Sequence, residues 1–519
     1  MTGLLNKFYS CLGSGIISLG MILFLHACAK SQPQMESAKI SIKYDMNTEN
    51  QVIQNFSASD AWACQFVGNW PEAKKNAIAD WLFSMDTMAN GSPKGIGLTM
   101  WRYNIGAGTA AQAEASGIKD EWRRAASFEN KDANSVKLIE GQNWFLQAAR
   151  NRGVNQFLGF INSPPVNLTG NGKGYASNGQ CNIAENMYAS FAQYAINAIN
   201  QVKAATGVNF DFISPVNEPQ WDWSDGGQEG CPYTNDQIRA VVNAFNTEFE
   251  KSAVTSKILL TEAGQLNYLL EANDKPEKDN QISDFFDPVS SNYIGNFSSV
   301  SKTIASHSYF TTSPMGKGIE LRNKIKQRVS QIPNLEFWQS EYCILGDNAG
   351  EINGNNRDLG MDAALYVAKV IYQDMVAANA SAWQWWLAIS PYNYKDGLVY
   401  VDKNNSDGNY YDSKMLWAMG NYSRFIRPGS KRIDVGPVND PALLVSGYKN
   451  EKNDGVILVV INPSADLKPL DLSGNVLVAD KDIVTFTTSN TYNLAKNSVS
   501  AKNIAIPARS IVTLVIGKN

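Results

Sequence analysis

Two glutamates stand at the ends of short apolar segments that have the composition of buried strands. Residues 210–217 are rich in β-forming side chains and stop at Glu218, and the proline that follows cannot continue a central strand. Residues 335–340 form a similar segment that ends in Glu341. A carboxylate at the end of a buried strand is costly unless it is paired or used in chemistry. We therefore predict that both glutamates belong to a site; the alternative is that they face water in loops.

The spacing of the two glutamates indicates a (β/α)8 barrel, which is an α/β fold. They lie roughly 120 residues apart, and this corresponds to three strand–helix units of about 40 residues each. Glu218 would then follow the fourth barrel strand, and Glu341 would end the seventh. Because the loops after barrel strands build the active face, we expect the two side chains to converge there.

Apolar runs bounded by turn residues supply the other strands of this barrel. The barrel would occupy residues 51–426. Its remaining strands are predicted at 51–56, 97–104, 156–162, 257–262, 303–309 and 381–387, with helices near 72–88 and 184–205.

From residue 427 onward the sequence has the pattern of an all-β sandwich. Short apolar runs are separated there by turn residues, at 442–445, 455–460, 483–486 and 510–516. The alternating segment 39–44 has no barrel sheet to join, so we expect it to add a strand to the sandwich. The predicted side domain thus combines 427–519 with a linker and strand within 28–50.

The composition excludes several classes of function. Charged residues make up 18% of the chain, and the net charge is −4 without a long basic run, which argues against nucleic-acid binding. Only His26 and His307 are present and no CxxC pair occurs, so we predict no catalytic Ser-His-Asp triad, no metal site and no cofactor. A bridge between Cys181 and Cys231 stays open, because sequence does not decide cysteine pairing.

The N-terminal segment has the features of an export signal. Lys7 precedes an apolar run that is too short for a confident membrane span, and a small residue then precedes Cys28. This pattern resembles a bacterial lipoprotein signal over residues 1–27, with Cys28 as the lipidated N-terminus of the mature protein. An ordinary cleaved signal is the alternative. We expect an exported cell-envelope protein, periplasmic or at the outer-membrane surface, that contacts the membrane only through this anchor.

One arginine and two residues of the sixth strand are candidates for the same site. Arg102 lies inside an apolar run and needs an anionic partner. We expect Glu218 and Glu341 to be its partners; a purely structural ion pair is the alternative. His307 and Tyr309 share one face of the predicted strand, because side chains alternate with a period of two.

Aromatic residues make up 11% of the chain, which suits a neutral ligand such as a sugar. The apolar face of a sugar ring stacks on tryptophan and tyrosine rings. We predict this role for Trp221, Trp223 and Trp385; plain core packing is the alternative for each.

The order of these residues resembles glycoside hydrolase family 30. The resemblance covers nearly the whole chain after the signal, and it implies a barrel with a β-sandwich. It also implies that Glu218 is the acid/base, that Glu341 is the nucleophile, and that Asn217 holds a sugar hydroxyl. The resemblance is carried by Arg102, Asn217-Glu218-Pro219, His307-Ser308-Tyr309, Ser340-Glu341, the junction segment 421–429 and the segment 506–510.

Within the family, the loop sequences are similar to those of the endo-β-1,6-galactanase branch. The similar segments are 162–165, 220–221 and 228–233, and we assign Glu229 of the last one to substrate binding. Members that cleave glucosylceramide carry an acid where this chain has Thr109. Glucuronoxylanase and β-1,6-glucanase activities stay open, as does a surface lipoprotein that binds a glycan without cutting it. We expect a monomer that acts on a polysaccharide.

Overall fold

A computed structural model describes residues 39–271, 274–478 and 482–517. The predicted signal, residues 1–27, and the predicted lipidation site Cys28 lie outside the described residues. The described chain begins with two short strands, β1 (Ile40–Ser41) and β2 (Tyr44–Asp45), which both belong to the side domain.

Eight parallel strands form a closed barrel. They pair in chain order, and the last strand pairs with both the first and the seventh, which closes the sheet. This confirms the predicted (β/α)8 barrel and places Glu218 and Glu341 at its fourth and seventh strands. The strands are β3 (Asn55–Ser59), β4 (Met100–Asn104), β5 (Gln156–Phe160), β6 (Phe212–Ser214), β7 (Lys257–Ala263), β8 (Val300–His307), β9 (Glu336–Glu341) and β10 (Ala382–Ser390).

The first barrel strand begins later than the sequence predicts. The prediction was 51–56, whereas β3 runs over residues 55–59. The residues before it pair with the side domain instead, since the Ile53 N–H donates to the Ser430 carbonyl at 2.8 Å and Val52 forms a bridge with Lys431. An apolar pattern alone does not distinguish a barrel strand from a connection that is buried between two domains.

The helices surround the barrel, and their ends follow local sequence signals. Helix α6 begins with a capping box in which Thr234 and Gln237 satisfy each other's backbone N–H groups, and α5 ends before Gly207, whose φ is 71°. No helix in the described part of the chain has the length and apolarity to cross a membrane. The helices are α1 (Cys64–Val67), α2 (Glu72–Phe83), α3 (Thr109–Gln112), α4 (Ala133–Asn151), α5 (Tyr188–Thr206), α6 (Asn235–Lys251), α7 (Gln281–Phe286), α8 (Met315–Ser330), α9 (Met361–Tyr372) and α10 (Lys414–Ser423).

Two further strands extend the barrel sheet, and the rest of the chain forms the sandwich. One sandwich sheet has the order β18-β17-β20-β15-β14-β13-β2 and the other the order β1-β16-β19, so the N-terminal segment joins both sheets. This confirms the predicted side domain. The strands are β11 (Gly397–Val401), β12 (Tyr410–Asp412), β13 (Lys431–Val435), β14 (Leu444–Lys449), β15 (Gly455–Asn462), β16 (Lys468–Asp471), β17 (Asp482–Thr488), β18 (Ala495–Ser500), β19 (Ile504–Ile506) and β20 (Ser510–Gly517).

Helix α10 joins the barrel to the sandwich through buried polar contacts. The Asn421 side-chain amide donates to the Phe486 carbonyl at 3.0 Å and to the Thr513 hydroxyl at 2.9 Å. The Thr513 hydroxyl in turn donates to the Asn421 carbonyl at 2.7 Å. Both residues are fully buried, so these hydrogen bonds have no access to competing water.

Replacing Asn421 with alanine should destabilise the fold. The substitution leaves the Phe486 carbonyl and the Thr513 hydroxyl short of a partner, which costs about 1–3 kcal/mol of unfolding free energy. Denaturant titration measures this loss. Asn490→Ala, at an exposed turn of the same sandwich, is the control and should change stability by less than about 0.5 kcal/mol. Equal stability of the two variants would contradict this account of the junction.

Candidate active site

Glu218 and Glu341 reach the mouth of the barrel from opposite strands. Glu341 is the last residue of β9, and Glu218 follows β6 by four residues. The backbone of Glu218 has a φ of 47°, and its N–H donates to the Glu262 carbonyl at 2.8 Å. A left-handed backbone at a residue other than glycine costs of order 1 kcal/mol and persists only where the surroundings hold it. The position of the Glu218 side chain is therefore imposed by the fold.

His307, the last residue of β8, lies between the two carboxyl groups. Its Nδ1 is 2.8 Å from Glu218 Oε1 and 3.5 Å from Glu341 Oε1. One oxygen of each glutamate and one ring nitrogen of His307 all lie within 4.8 Å of one another. The two carboxyl groups thus face each other across a short gap.

Arg102 on β4 and Tyr309 hold Glu341 in place. The Arg102 guanidinium donates to Glu341 Oε2, and the Tyr309 hydroxyl donates to Glu341 Oε1 at 3.0 Å. Arg102 also donates to the side-chain oxygen of Asn217 at 3.2 Å and stacks on the Phe160 ring at 3.9 Å. The structure thus brings together the predicted residues Arg102, Asn217, Glu218, His307, Tyr309 and Glu341.

A third buried glutamate, Glu262, completes the cluster and was missed by the sequence analysis. Its Oε2 lies 3.2 Å from His307 Nε2 and 3.5 Å from the Arg102 guanidinium, and its Oε1 accepts from the Ser214 hydroxyl at 2.7 Å. The prediction that Glu218 is the second partner of Arg102 was therefore wrong, since Arg102 pairs with Glu341 and Glu262. Glu262 stands near the end of the apolar strand β7. The criterion that identified Glu218 and Glu341, an acid at the end of a buried strand, would therefore have found it.

The cluster contains three carboxyl groups and two cationic side chains, all buried. Burial opposes the charge of His307, but the charge of Glu341 and the hydrogen bonds to Glu218 and Glu262 raise the pKa of His307 to about 9. Burial also opposes the charge of Glu262, yet Arg102 and His307 lower the pKa of Glu262 to about 2. For Glu218, burial raises the pKa in spite of the hydrogen bond from His307. Burial in the cluster therefore favours the protonated form of Glu218 relative to a glutamate in water.

Glu218, His307 and Glu341 are also the one group of side chains in the described residues that could approach a common metal ion. Both ring nitrogens of His307 are already engaged with carboxylates, and its pKa of about 9 keeps both nitrogens protonated at neutral pH. A protonated imidazole has no lone pair to offer a metal. The geometry accordingly suits hydrogen bonding better than metal binding.

The cluster opens into a cleft of about 910 Å³ with aromatic walls. The predicted Trp221 and Trp223 both line it, and the Trp223 indole N–H also donates to the Glu218 carbonyl at 3.0 Å. Phe310, which is 51% exposed, packs edge-on against Trp221 at the mouth. Trp386 also lines the cleft. Rings at these positions can stack on sugar faces.

Two predicted binding residues lie elsewhere. Trp385 is fully buried, and its indole N–H donates to the Asp396 carbonyl at 2.7 Å, so it cannot stack on a ligand. On a strand, neighbouring side chains point to opposite faces, and Trp386 takes the cleft position. Glu229 is also buried outside the cleft lining. Its carboxyl accepts from the Ala107 N–H at 2.9 Å and the Thr109 hydroxyl at 2.6 Å, and it ties the loop after β4 to the loop after β6.

Cys181 and Cys231, whose pairing the sequence left open, are free thiols in the structure. Cys231 is buried, and its sulfur accepts from the Asn182 N–H at 3.3 Å. The two thiols interact with each other, and this contact lowers the pKa of Cys181. The loops after β5 and β6 therefore meet at this pair.

Similarity to known proteins agrees with the fold and the site. The sequence profile described as O-glycosyl hydrolase family 30 matches residues 39–400. Glucuronoxylanase XynC of Bacillus subtilis is 25% identical over 282 residues, which are 53% of this chain and 52% of the relative, so the chain spans about half the length of that relative. A conserved exported protein from Bacteroides fragilis has a similar crystal structure, with a TM-score of 0.83 and 32% identity over 92% of this chain and 100% of that chain.

A second solved structure, the endo-β1,6-glucanase BT3312, has a TM-score of 0.63 at 15% identity and covers 93% of this chain and 95% of its own. The closed barrel, its sandwich and the family profile agree on the class of fold. The chain belongs to glycoside hydrolase family 30, as its sequence predicted.

Glu262→Gln should lower the pKa of His307. The substitution removes a carboxylate that contacts Nε2 and stabilises the imidazolium, so the pKa of His307 should fall by about one unit or more. His307 is the only histidine after residue 26, so ¹⁵N-histidine labelling of the protein without its signal gives one imidazole to titrate by NMR. Glu336→Gln, at the start of β9 and outside the cluster, is the control. An unchanged pKa of His307 in Glu262→Gln would contradict the contact between Glu262 and His307.

The titration of His307 should also make the unfolding free energy of the protein depend on pH. Since the folded-state pKa of His307 is raised from 6.5 to about 9, its contribution to the unfolding free energy is complete below pH 6.5 and disappears as the pH rises through 9. In Glu262→Gln, we expect that decline to begin at the same pH, to end at a lower pH and to be smaller, because only the folded-state pKa changes. Thermal unfolding of both proteins between pH 6 and 10 measures this decline. Coincident curves of stability against pH for wild type and Glu262→Gln would contradict the prediction.

Proposed function

We propose that this protein cleaves a β-linked polysaccharide with retention of configuration, with Glu341 as nucleophile and Glu218 as acid/base. The observation that carries the proposal is the short gap between the two glutamates, whose nearest oxygens lie within 4.8 Å. Retaining glycosidases hold their two carboxyl groups ~5–5.5 Å apart, whereas inverting enzymes leave ~6.5–9.5 Å for a water molecule. A protein that only binds glycan would gain nothing from this arrangement.

In the first step, a Glu341 oxygen attacks the anomeric carbon while Glu218 gives its proton to the departing glycosidic oxygen. The surroundings support these roles. Arg102 and the Tyr309 hydroxyl stabilise a negative charge on Glu341, and burial raises the pKa of Glu218, which favours the protonated form that the acid role needs. The bond to the leaving sugar breaks as the bond between the sugar and Glu341 forms.

In the second step, water hydrolyses the ester between the sugar and Glu341. Glu218, now a carboxylate, takes one proton from this water, and the hydroxyl oxygen joins the anomeric carbon while Glu341 leaves as a carboxylate. The His307 Nδ1–H, 2.8 Å from Glu218 Oε1, steadies that carboxylate between the steps. Asn217 has its side-chain oxygen occupied by Arg102, which leaves its NH₂ group to bind a sugar hydroxyl beside the reacting carbon.

The substrate we propose is β-1,6-galactan. The support is the similarity of the loop segments 162–165, 220–221 and 228–233 to the endo-β-1,6-galactanase branch, together with a cleft that is open and aromatic. Glucuronoxylan and β-1,6-glucan are the alternatives, since one relative is a glucuronoxylanase and one structural neighbour is an endo-β1,6-glucanase.

We also propose that the protein is exported and anchored through Cys28. The similar protein from Bacteroides fragilis is described as exported, and the sequence before Cys28 has the features of a lipoprotein signal. In Cys28→Ala, the protein should lose its lipid and move from the membrane fraction to the soluble fraction. Retention of the variant in the membrane would refute the anchor and leave the catalytic proposal standing.

Product analysis tests the substrate. The protein without its signal is incubated with β-1,6-galactan, β-1,6-glucan and glucuronoxylan, and the products are separated by chromatography. We expect short galactose oligomers from the first polymer only. Products from another polymer would change the proposed substrate and leave the proposed mechanism standing. No products from any of the three would count against the proposal.

Two glutamine variants test the assigned roles. Glu341→Gln removes the nucleophile and should reduce turnover of every substrate by at least 10⁴-fold. Glu218→Gln should retain cleavage of aryl glycosides with good leaving groups, because these need no acid, and azide should rescue its second step. Glu336→Gln is the matched control outside the cleft. Equal loss in both variants on the activated substrates would refute the roles.

A further inference from the structure

Among the acids that line the cleft outside the cluster described above, one is buried. Asp396 lies after β10 and lines the cleft together with Glu218, Glu341 and Trp386. It is 7% exposed, and its Oδ1 has no hydrogen-bond partner. A buried acceptor without a partner is unfavourable, so such an atom in a cleft can accept a hydrogen bond from a ligand.

The backbone of Asp396 is fixed on both sides. Its carbonyl accepts from the Trp385 indole N–H at 2.7 Å, and the preceding carbonyl, that of Lys395, accepts from the Ile344 N–H at 3.3 Å. The following residue, Gly397, donates its N–H to the Tyr400 hydroxyl at 3.2 Å. The buried Trp385 thus positions Asp396, and the carboxyl group is presented to the cleft from a rigid support, as precise recognition requires.

The nearest cation does not neutralise Asp396. Within the described residues, no basic side chain lies within 4.0 Å of its carboxyl oxygens. The Arg123 guanidinium, which also lines the cleft, stacks 5.1 Å from the centre of the Trp62 ring and 5.0 Å from that of Tyr392. It also donates to the Gly227 carbonyl at 3.4 Å. A structural ion pair therefore does not account for the acid.

The protonation of Asp396 suits an acceptor. Burial raises the pKa of Asp396 to about 6, although the nearby Ser390 hydroxyl and Arg123 oppose this rise. Most molecules therefore carry a carboxylate here at pH 7. A carboxylate accepts hydrogen bonds and donates none, which fits a hydroxyl group and disfavours a second carboxylate.

Asp396 is close to the reacting groups. Cys343 also lines the cleft. Burial raises the pKa of its thiol, and the charges of Asp396, Glu341 and Glu218 add to this rise, so all three carboxyl groups lie around the same thiol. The chain segment that carries Cys343 pairs with that of Asp396 through the bridge between Ile344 and Lys395. A sugar bound against Glu341 and the Trp386 ring would thus meet the carboxyl group of Asp396.

We propose that Asp396 is a specificity-determining residue whose free Oδ1 accepts a hydrogen bond from a ring hydroxyl of a neutral sugar bound beside Glu341. The inference rests on the proposed glycosidase function and adds to it a residue that recognises one hydroxyl group of the substrate. A site built to bond a hydroxyl rejects an analogue that lacks it far more strongly than an apolar pocket rejects a change of size. The hydroxyl bound by Asp396 would decide which sugar is accepted.

Substitution of Asp396 tests the proposal on the polymer that the wild-type protein cleaves. Asp396→Ala should lower kcat/KM by roughly 10²–10³-fold, whereas Asp396→Asn, which keeps an oxygen acceptor, should stay within about tenfold of wild type. Asp407→Ala, which removes an exposed acid away from the cleft, should leave kcat/KM unchanged. Thermal unfolding of each variant checks that the fold is intact.

Aryl glycosides of the preferred sugar, each lacking one ring hydroxyl, separate recognition from a structural effect. Wild type should discriminate strongly against one deoxy analogue, and Asp396→Ala should lose that discrimination, because the hydroxyl no longer has its partner. A structural defect would slow all analogues equally and would overturn the proposal. So would an Asp396→Ala protein within threefold of wild type on the polymer. If the wild-type protein shows no activity that Glu341→Gln abolishes, the glycosidase proposal is refuted, and this inference is refuted with it.

Discussion

The structure depends on the need to keep a buried group of charges nearly neutral. Five ionisable side chains meet at the barrel mouth, and moving each ion out of water costs several kcal/mol unless a partner compensates it. Arg102 and His307 supply two positive charges against three carboxyl groups. The third carboxyl group is best accommodated with a proton, and burial raises the pKa of Glu218 accordingly. One electrostatic constraint thus provides both a stabilised carboxylate and a carboxylic acid, the pair that glycoside hydrolysis uses.

Only a closed barrel with the right register satisfies this constraint. The five side chains come from or directly follow five different strands, and parallel strands bring such ends to one rim. Glu218 and Glu262 both have left-handed backbones, with φ values of 47° and 52°, and a hydrogen bond from the Glu218 N–H to the Glu262 carbonyl couples them. The sandwich contacts this barrel through α10 and through the chain before β3.

The loops around this group of charges are held in place by specific side chains. Glu229 ties the loops after β4 and β6 together from inside the protein, and the Trp223 indole N–H holds the Glu218 carbonyl within the loop after β6. The loop after β10 presents Asp396 to the cleft from a backbone held by Trp385. Because a barrel supports many chemistries by changing its loops, family membership defines the reaction more firmly than it defines the sugar.

The sequence by itself determined the barrel, the sandwich and the expectation that Glu218 and Glu341 meet, because strand periodicity, strand spacing and acids at strand ends are local features of the chain. Only the tertiary structure showed that Glu262 completes the cluster, that Trp386 and not Trp385 faces the cleft, and that Glu229 fastens loops inside the protein. It also showed that residues before β3 belong to the domain junction. The physical reason is that a side chain's role depends on which partners the fold brings within about 3–4 Å. Those partners come from distant parts of the chain, and a shift of one residue along a strand turns a side chain to the opposite face.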